Sequence, residues 1–201
     1  MLGVLSAMLC CGAVSAQQHE VEMIPFGNMD QWIDRQIKES GIIGGATKNV
    51  YAIGPTATVT ETKAYKNMGG SPWATSNVMA RVAGITKTNT SVFPEKRGDG
   101  FCARMDTRME SVKVFGIVDI TVLAAGSMFL GEVHEPIKGT KNPQKMLNSG
   151  IPFTKKPIAI QFDYKVKMSD REKRIRATGF SRITDRSEEH TSELQSQSVI
   201  S

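Results

Sequence analysis

Residues 158–168 alternate between two kinds of side chain: Ile158, Ile160, Phe162, Tyr164, Val166 and Met168 on one parity, Ala159, Gln161, Asp163, Lys165 and Lys167 on the other. Successive side chains of a strand point to opposite faces, so period two predicts a strand with one apolar and one wet face. The expected setting is an antiparallel sheet that buries one face, as in a sandwich. Ile158, Ile160, Phe162, Tyr164 and Val166 should then be mostly buried, with Gln161, Lys165 and Lys167 exposed. A register slip of one residue would invert all of them.

Shorter runs rich in β-branched and aromatic residues occupy 49–53, 56–61, 77–82, 101–107 and 112–123. They read as strands. Gly and Pro punctuate them at Gly54-Pro55, Gly69-Gly70-Ser71-Pro72 and Gly98-Asp99-Gly100, as turns require. Residues 111–133 are apolar enough for a buried helix, but Gly116 and Gly126 interrupt them and Val, Ile and Thr dominate, which favours strands. One helix is expected, over 28–41: Asn28 as N-cap, Asp30 in the first turn, Met29, Trp32, Ile33 and Ile37 on one stripe, and Gly41 beyond the end. Many short strands with no repeated crossover helix predict an all-β sandwich or jelly roll carrying one short N-terminal helix.

The two ends read differently. Residues 1–17, MLGVLSAMLCCGAVSAQ, are apolar and uncharged and place small residues at Val14-Ser15-Ala16. This is the pattern of a secretory signal peptide over 1–16, although the basic opening is missing. Cys10 and Cys11 raise a lipoprotein alternative that Ala7-Met8-Leu9 fits poorly. The stretch is too short for a membrane span, and nothing later is long and apolar enough for one. The expected destination is export, to the periplasm, cell surface or extracellular space. Residues 186–196, RSEEHTSELQS, resemble the translation of a sequencing-library adapter. Residues 186–201 are therefore set aside as an artefactual tail that should make no specific packing, and the domain of 17–185 is expected to be incomplete at its C-terminus.

Residues 17–185 form one domain-sized unit, with 24 Lys and Arg against 17 Asp and Glu. The excess is concentrated at 138–182, with 12 basic and 3 acidic residues. A basic half can meet an anionic partner; compensating acids in C-terminal strands beyond the domain fragment account for it better, and no nucleic-acid partner is expected. Within 17–185 only Cys102 is a cysteine, so stability must come from packing. A lone Cys in the alternating run 101–105 is read as a small apolar strand residue.

Several segments, IPFGNMDQW (24–32), GGSPWATSN (69–77), GDGFCARMDT (98–107), AAGSMFLGEV (124–133) and NSGIPFTKKPIAIQFDYK (148–165), together resemble the Putative carbohydrate metabolism domain (PCMD) family of secreted bacterial proteins. The resemblance implies a jelly-roll sandwich similar to galactose-binding-like and carbohydrate-binding modules. It carries no established catalytic residues. Such domains usually close with a strand bearing a Trp-Ile-Asp-Asn-like motif, which this sequence lacks.

Glycoside hydrolysis needs two carboxyl groups about 5–9.5 Å apart across one bond. Asp99, Asp106, Glu110, Asp119, Glu132 and Glu135 are available, and no pair stands out. Glu132-Val133-His134-Glu135 offers three metal-capable side chains, but two ligands on one strand face fall short of the three or four of a zinc site. No metal or cofactor is expected, and an exposed loop before Pro136 is the plainer reading. Trp73, in a Gly-Gly-Ser-Pro loop beside Asn77, is the best candidate for an aromatic platform under a sugar ring with an amide for its hydroxyls; Trp32 is expected in the core. The sequence thus predicts an exported, non-catalytic glycan-binding or glycan-utilisation accessory protein with a polysaccharide or oligosaccharide partner. The alternatives are a jelly-roll glycoside hydrolase and a structural adhesion domain.

Overall fold

A computed structural model describes residues 21–60, 70–114, 118–138, 143–168, 173–178 and 182–187. It is an all-β sandwich. Strands β1 (Trp32–Lys38), β2 (Thr47–Ile53) and β3 (Ala57–Thr60) form a sheet in the order β2-β1-β3, β2 antiparallel and β3 parallel to β1. Strand β4 (Trp73–Thr75) is followed by the hairpin β5 (Val78–Val82) and β6 (Ile85–Asn89), then by the hairpin β7 (Val92–Arg97) and β8 (Gly100–Met105). Strands β9 (Thr107–Val114) and β10 (Val118–Ala125) pair next, and β11 (Met128–Val133) lies between β4 and β12 (Leu147–Ser149). Strands β13 (Lys173–Thr178) and β14 (Arg182–Ser187) close the series. Arg186 and Ser187 take part in that last ladder, opposite Arg174 and Lys173. Residues 1–16, expected from sequence to be a signal peptide, and residues 188–201 lie outside the described residues.

The segment read as a helix is strand β1, and its burial shows why the pattern misleads. Ile33, Arg35, Ile37 and Glu39 are all buried on one parity. Trp32 is buried on the other parity, facing the same way as its cross-strand partner Ile53. Two hydrophobic clusters therefore sit on opposite faces of the β1–β2 ribbon: Trp32, Ile53 and Val92 on one, Ile37, Val50 and Met79 on the other. A strand covered on both faces carries apolar residues at consecutive positions, and two of its inward positions here are charged. The alternation that marks a half-buried strand is lost. Asn28 still makes a cap-like contact, its Oδ1 accepting from the Asp30 N–H at 3.4 Å. The chain turns into a strand instead, because Asp30 Oδ1 takes the Phe101 N–H at 2.8 Å.

Glu39 shows how an inward acid is accommodated. Its Oε1 accepts from the Thr88 N–H and Oγ1–H, both at 2.8 Å, and lies 3.3 Å from Lys87 Nζ. A buried charge is tolerable when paired and hydrogen-bonded in this way. The carbonyls of Asn49 and Tyr51 in β2 accept from Thr90 Oγ1 and Asn77 Nδ2, each at 2.8 Å.

Residues 158–168 correct a second expectation. They are joined to no described strand, and both parities are exposed, Ile158 at 76% and Val166 at 62%. The alternation is present; the sheet that would bury one side is not among the described residues. Phe162 and Tyr164 pack on each other, ring centroids 5.8 Å apart. Backbone outside a ladder is open to proteases. Brief trypsin digestion should therefore cut first after Lys155, Lys165 or Lys167, as mass spectrometry of the early fragments would show. First cuts after Arg35 or Lys38, with 150–168 intact, would contradict this arrangement.

The remaining strand expectations at 49–53, 56–61, 77–82 and 101–107 overlap β2, β3, β5 and β8, and the run 112–123 spans parts of two strands, β9 and β10; residues 61 and 115–117 lie outside the described residues. Trp32 lies in the core as expected, and Cys102 is a half-buried free thiol in β8.

Candidate functional site

Where β2 meets the β4–β11 pair, the chain encloses a pocket of about 290 Å³. That is at the small end of ligand sites, roughly 300–1,000 Å³. Trp73, Ala74 and Thr75 of β4 form one wall, Tyr51, Ala52 and Ile53 of β2 another, and residues 131–135 a third, with Arg35 and Asn77 between them.

Gly131 shapes the third wall. It ends the pairing with β4, begins the pairing with β12, and adopts φ +141°. A Cβ there would lie 2.1 Å from the Asn148 carbonyl oxygen, so only glycine fits. After it, Glu132 and His134 are exposed while the Glu135 side chain turns inward and is 2% exposed. Arg35, 5% exposed, meets it with two bonds, Nη1 to Oε1 at 3.1 Å and Nη2 to Oε2 at 2.6 Å, and Glu135 Oε1 also accepts the Met79 N–H at 2.9 Å. This two-pronged geometry makes the strongest kind of side-chain ion pair. It joins β1, β5 and the segment after β11.

The two candidates named from sequence both line the pocket, in different roles. Trp73 is the first residue of β4, not part of a loop. It is half-buried, packs against the cluster of Trp32, Ile53 and Val92, and donates its indole N–H to the Pro25 carbonyl at 2.9 Å. Asn77 is buried, and its amide is committed to backbone. Nδ2 donates to the carbonyls of Tyr51 and Val92 at 2.8 and 2.7 Å, and Oδ1 accepts from the N–H groups of Ser91 and Val92 at 2.8 and 2.9 Å. Two donors and two acceptor sites are all that an amide has, so Asn77 holds the wall in place.

Sequence reasoning missed Arg35 and Tyr51 as site residues. The alternation of Ile33, Arg35, Ile37 and Glu39 was the signal that could have placed Arg35 inward. The Glu132–Glu135 stretch is divided, two side chains outward and one inward, and among the described residues no group of three or more His, Cys, Asp or Glu is gathered for a metal. The other acids considered from sequence are dispersed: Asp106 pairs with Arg104 and Glu110 with Arg108. The Asp34 carboxyl is held above its ordinary range. Burial raises it, and a hydrogen bond with Gln36 partly offsets that.

The family model described as Putative carbohydrate metabolism domain matches residues 48–187. The chain belongs to the PCMD family. Every residue of the pocket except Arg35 falls inside the matched span, so the guanidinium that fixes Glu135 is brought by the strand preceding it. No curated protein and no solved structure matches the chain. The family name makes this PCMD chain a carbohydrate-related domain, which fits a sugar ligand. Among the described residues no helix is long and apolar enough to cross a membrane.

Proposed function

We propose that this PCMD chain is an exported, non-catalytic glycan-binding or glycan-utilisation accessory protein that holds part of a polysaccharide or oligosaccharide against Trp73. The observation that carries the reading is a half-buried tryptophan on the wall of a small pocket in a carbohydrate-related domain, with Tyr51 also lining it. The flat faces of a sugar ring present C–H groups to an aromatic ring, while its hydroxyls exchange water for protein partners at a net of only about 0.5–1.5 kcal/mol each. The aromatic contact then decides whether binding is measurable. A non-catalytic role is supported by Glu135: both its oxygens are engaged by Arg35 and Met79, whereas hydrolysis needs two carboxyls directed at one bond.

The test is a glycan array with the protein and its Trp73→Ala variant, alongside melting curves. Wild type should bind a glycan weakly and the variant not detectably. Stability should fall by less than the roughly 3–5 kcal/mol lost at a fully buried aromatic residue, since Trp73 is half-buried. An array on which wild type binds nothing moves the reading to an adhesion domain. Release of new reducing ends from a bound glycan moves it to a glycoside hydrolase.

A further inference from the structure

The segment bonded to the Trp73 indole is a strap of residues 24–30, and it is held unevenly. At its downstream end Asp30 Oδ1 accepts the Phe101 N–H at 2.8 Å, the Met29 carbonyl accepts the Trp32 indole N–H at 2.7 Å, and the chain runs straight into β1. At its upstream end the Trp73 indole N–H donates to the Pro25 carbonyl, and between the two ends Arg97 Nη2 donates to the Asn28 carbonyl over a long 3.4 Å. Beyond that, Val21 and Met23 are 84% and 69% exposed, and Glu22 meets Lys155 only at the surface.

The closed strap is also strained. Phe26 has φ 59° and Met29 φ 60°, the left-handed region that side-chain-bearing residues rarely occupy. Such conformations persist where surrounding contacts enforce them. Here the enforcing contacts are the partly buried Phe26 and Met29 side chains against the cluster of Trp32, Ile53 and Val92. Lifting residues 24–28 would relax Phe26 at the loss of the Trp73–Pro25 bond, the 3.4 Å bond from Arg97 to the Asn28 carbonyl, the bond from the Met29 N–H to the Phe26 carbonyl and part of one apolar contact.

We propose that residues 24–28 form a displaceable cover over Trp73, pivoting at Met29 and Asp30, and that opening hands the Trp73 indole N–H from the Pro25 carbonyl to a hydroxyl of the bound saccharide. The second half rests on the glycan-binding reading above; the first half stands on the strap geometry. Free protein is then divided between closed and open forms, and its apparent affinity is lowered by the closed fraction.

The chain has two tryptophans, so the indole N–H signals of the ¹⁵N-labelled protein report the two ends of the strap separately. Hydrogen exchange at the Trp73 indole should be at least about tenfold faster than at Trp32 and insensitive to low urea, the mark of a local opening. Phe26→Ala should accelerate Trp73 by a further several-fold and Trp32 by much less, and should tighten binding to the glycans that wild type retains on the array. Equal exchange at both indoles with the same urea dependence, in wild type and variant, would overturn the cover. Faster Trp73 exchange in the variant without tighter glycan binding would overturn the hand-over. An array blank for both proteins would end the glycan-binding reading and the hand-over with it, while the exchange data still decide the cover.

Discussion

Replacing Asn77 by alanine should lower folding stability by about 4 kcal/mol or more, one of the two largest losses expected from a single change in this protein. The side chain is small, and the effect comes from what it leaves behind: the N–H groups of Ser91 and Val92 and the carbonyls of Tyr51 and Val92, all bonded to one amide. A buried polar group stripped of its partner costs about 1–3 kcal/mol. Four such losses at one point will not simply add, because water can enter the space vacated and the strands can shift. Asn77→Asp keeps the acceptor but sets a carboxylate against two carbonyl oxygens, so it should also be strongly destabilising. Urea unfolding would show this as a lower midpoint at unchanged slope. A loss under about 1 kcal/mol for both variants would mean that the backbone groups find other partners, and the account of this wall would be wrong.

Arg35→Met should cost about 3–5 kcal/mol, because it leaves the Glu135 carboxylate buried without its guanidinium. The companion double variant, Arg35→Met with Glu135→Leu, separates attraction from desolvation. Replacing a whole buried pair by apolar residues is often neutral or stabilising by about 1–4 kcal/mol. Here it also removes the acceptor of the Met79 N–H, which returns about 1–3 kcal/mol of loss. The double variant should therefore lie near wild type and well above Arg35→Met. A double variant as unstable as the single one would show that the ion pair itself, and not the stranded charge, dominates.

Much of the β architecture was readable from sequence because turn chemistry and β-branched runs are local signals: Gly54-Pro55 falls between β2 and β3, and Gly98-Asp99 lies just before β8. Two segments were not readable, for opposite reasons. In β1 the periodicity was hidden by burial on both faces and by Arg35 and Glu39, whose partners Glu135 and Lys87–Thr88 lie far away along the chain. In 158–168 the periodicity was plain, but a pattern specifies only which side a strand would bury. It does not supply the neighbour. The site followed the same logic. Trp73 could be picked out because tryptophan beside a turn is conspicuous, whereas Asn77 gave no sign that four backbone groups from β2, β7 and the residue before it would converge on it. Arg35 could be placed only once β1 was known to be a strand.

The outer margin of β2 has one more consequence. Its carbonyls at Asn49 and Tyr51 are met by the side chains of Thr90 and Asn77, not by a further strand. An exposed strand margin is a template on which another molecule's backbone can dock, the first step of edge-to-edge aggregation. Side-chain donors occupy those acceptors without offering a new row of amides and carbonyls in return, so at these two positions a copy of the chain would meet acceptors already engaged. The Thr90 hydroxyl and the Asn77 amide thereby also make this margin a poorer template for a neighbouring molecule's backbone.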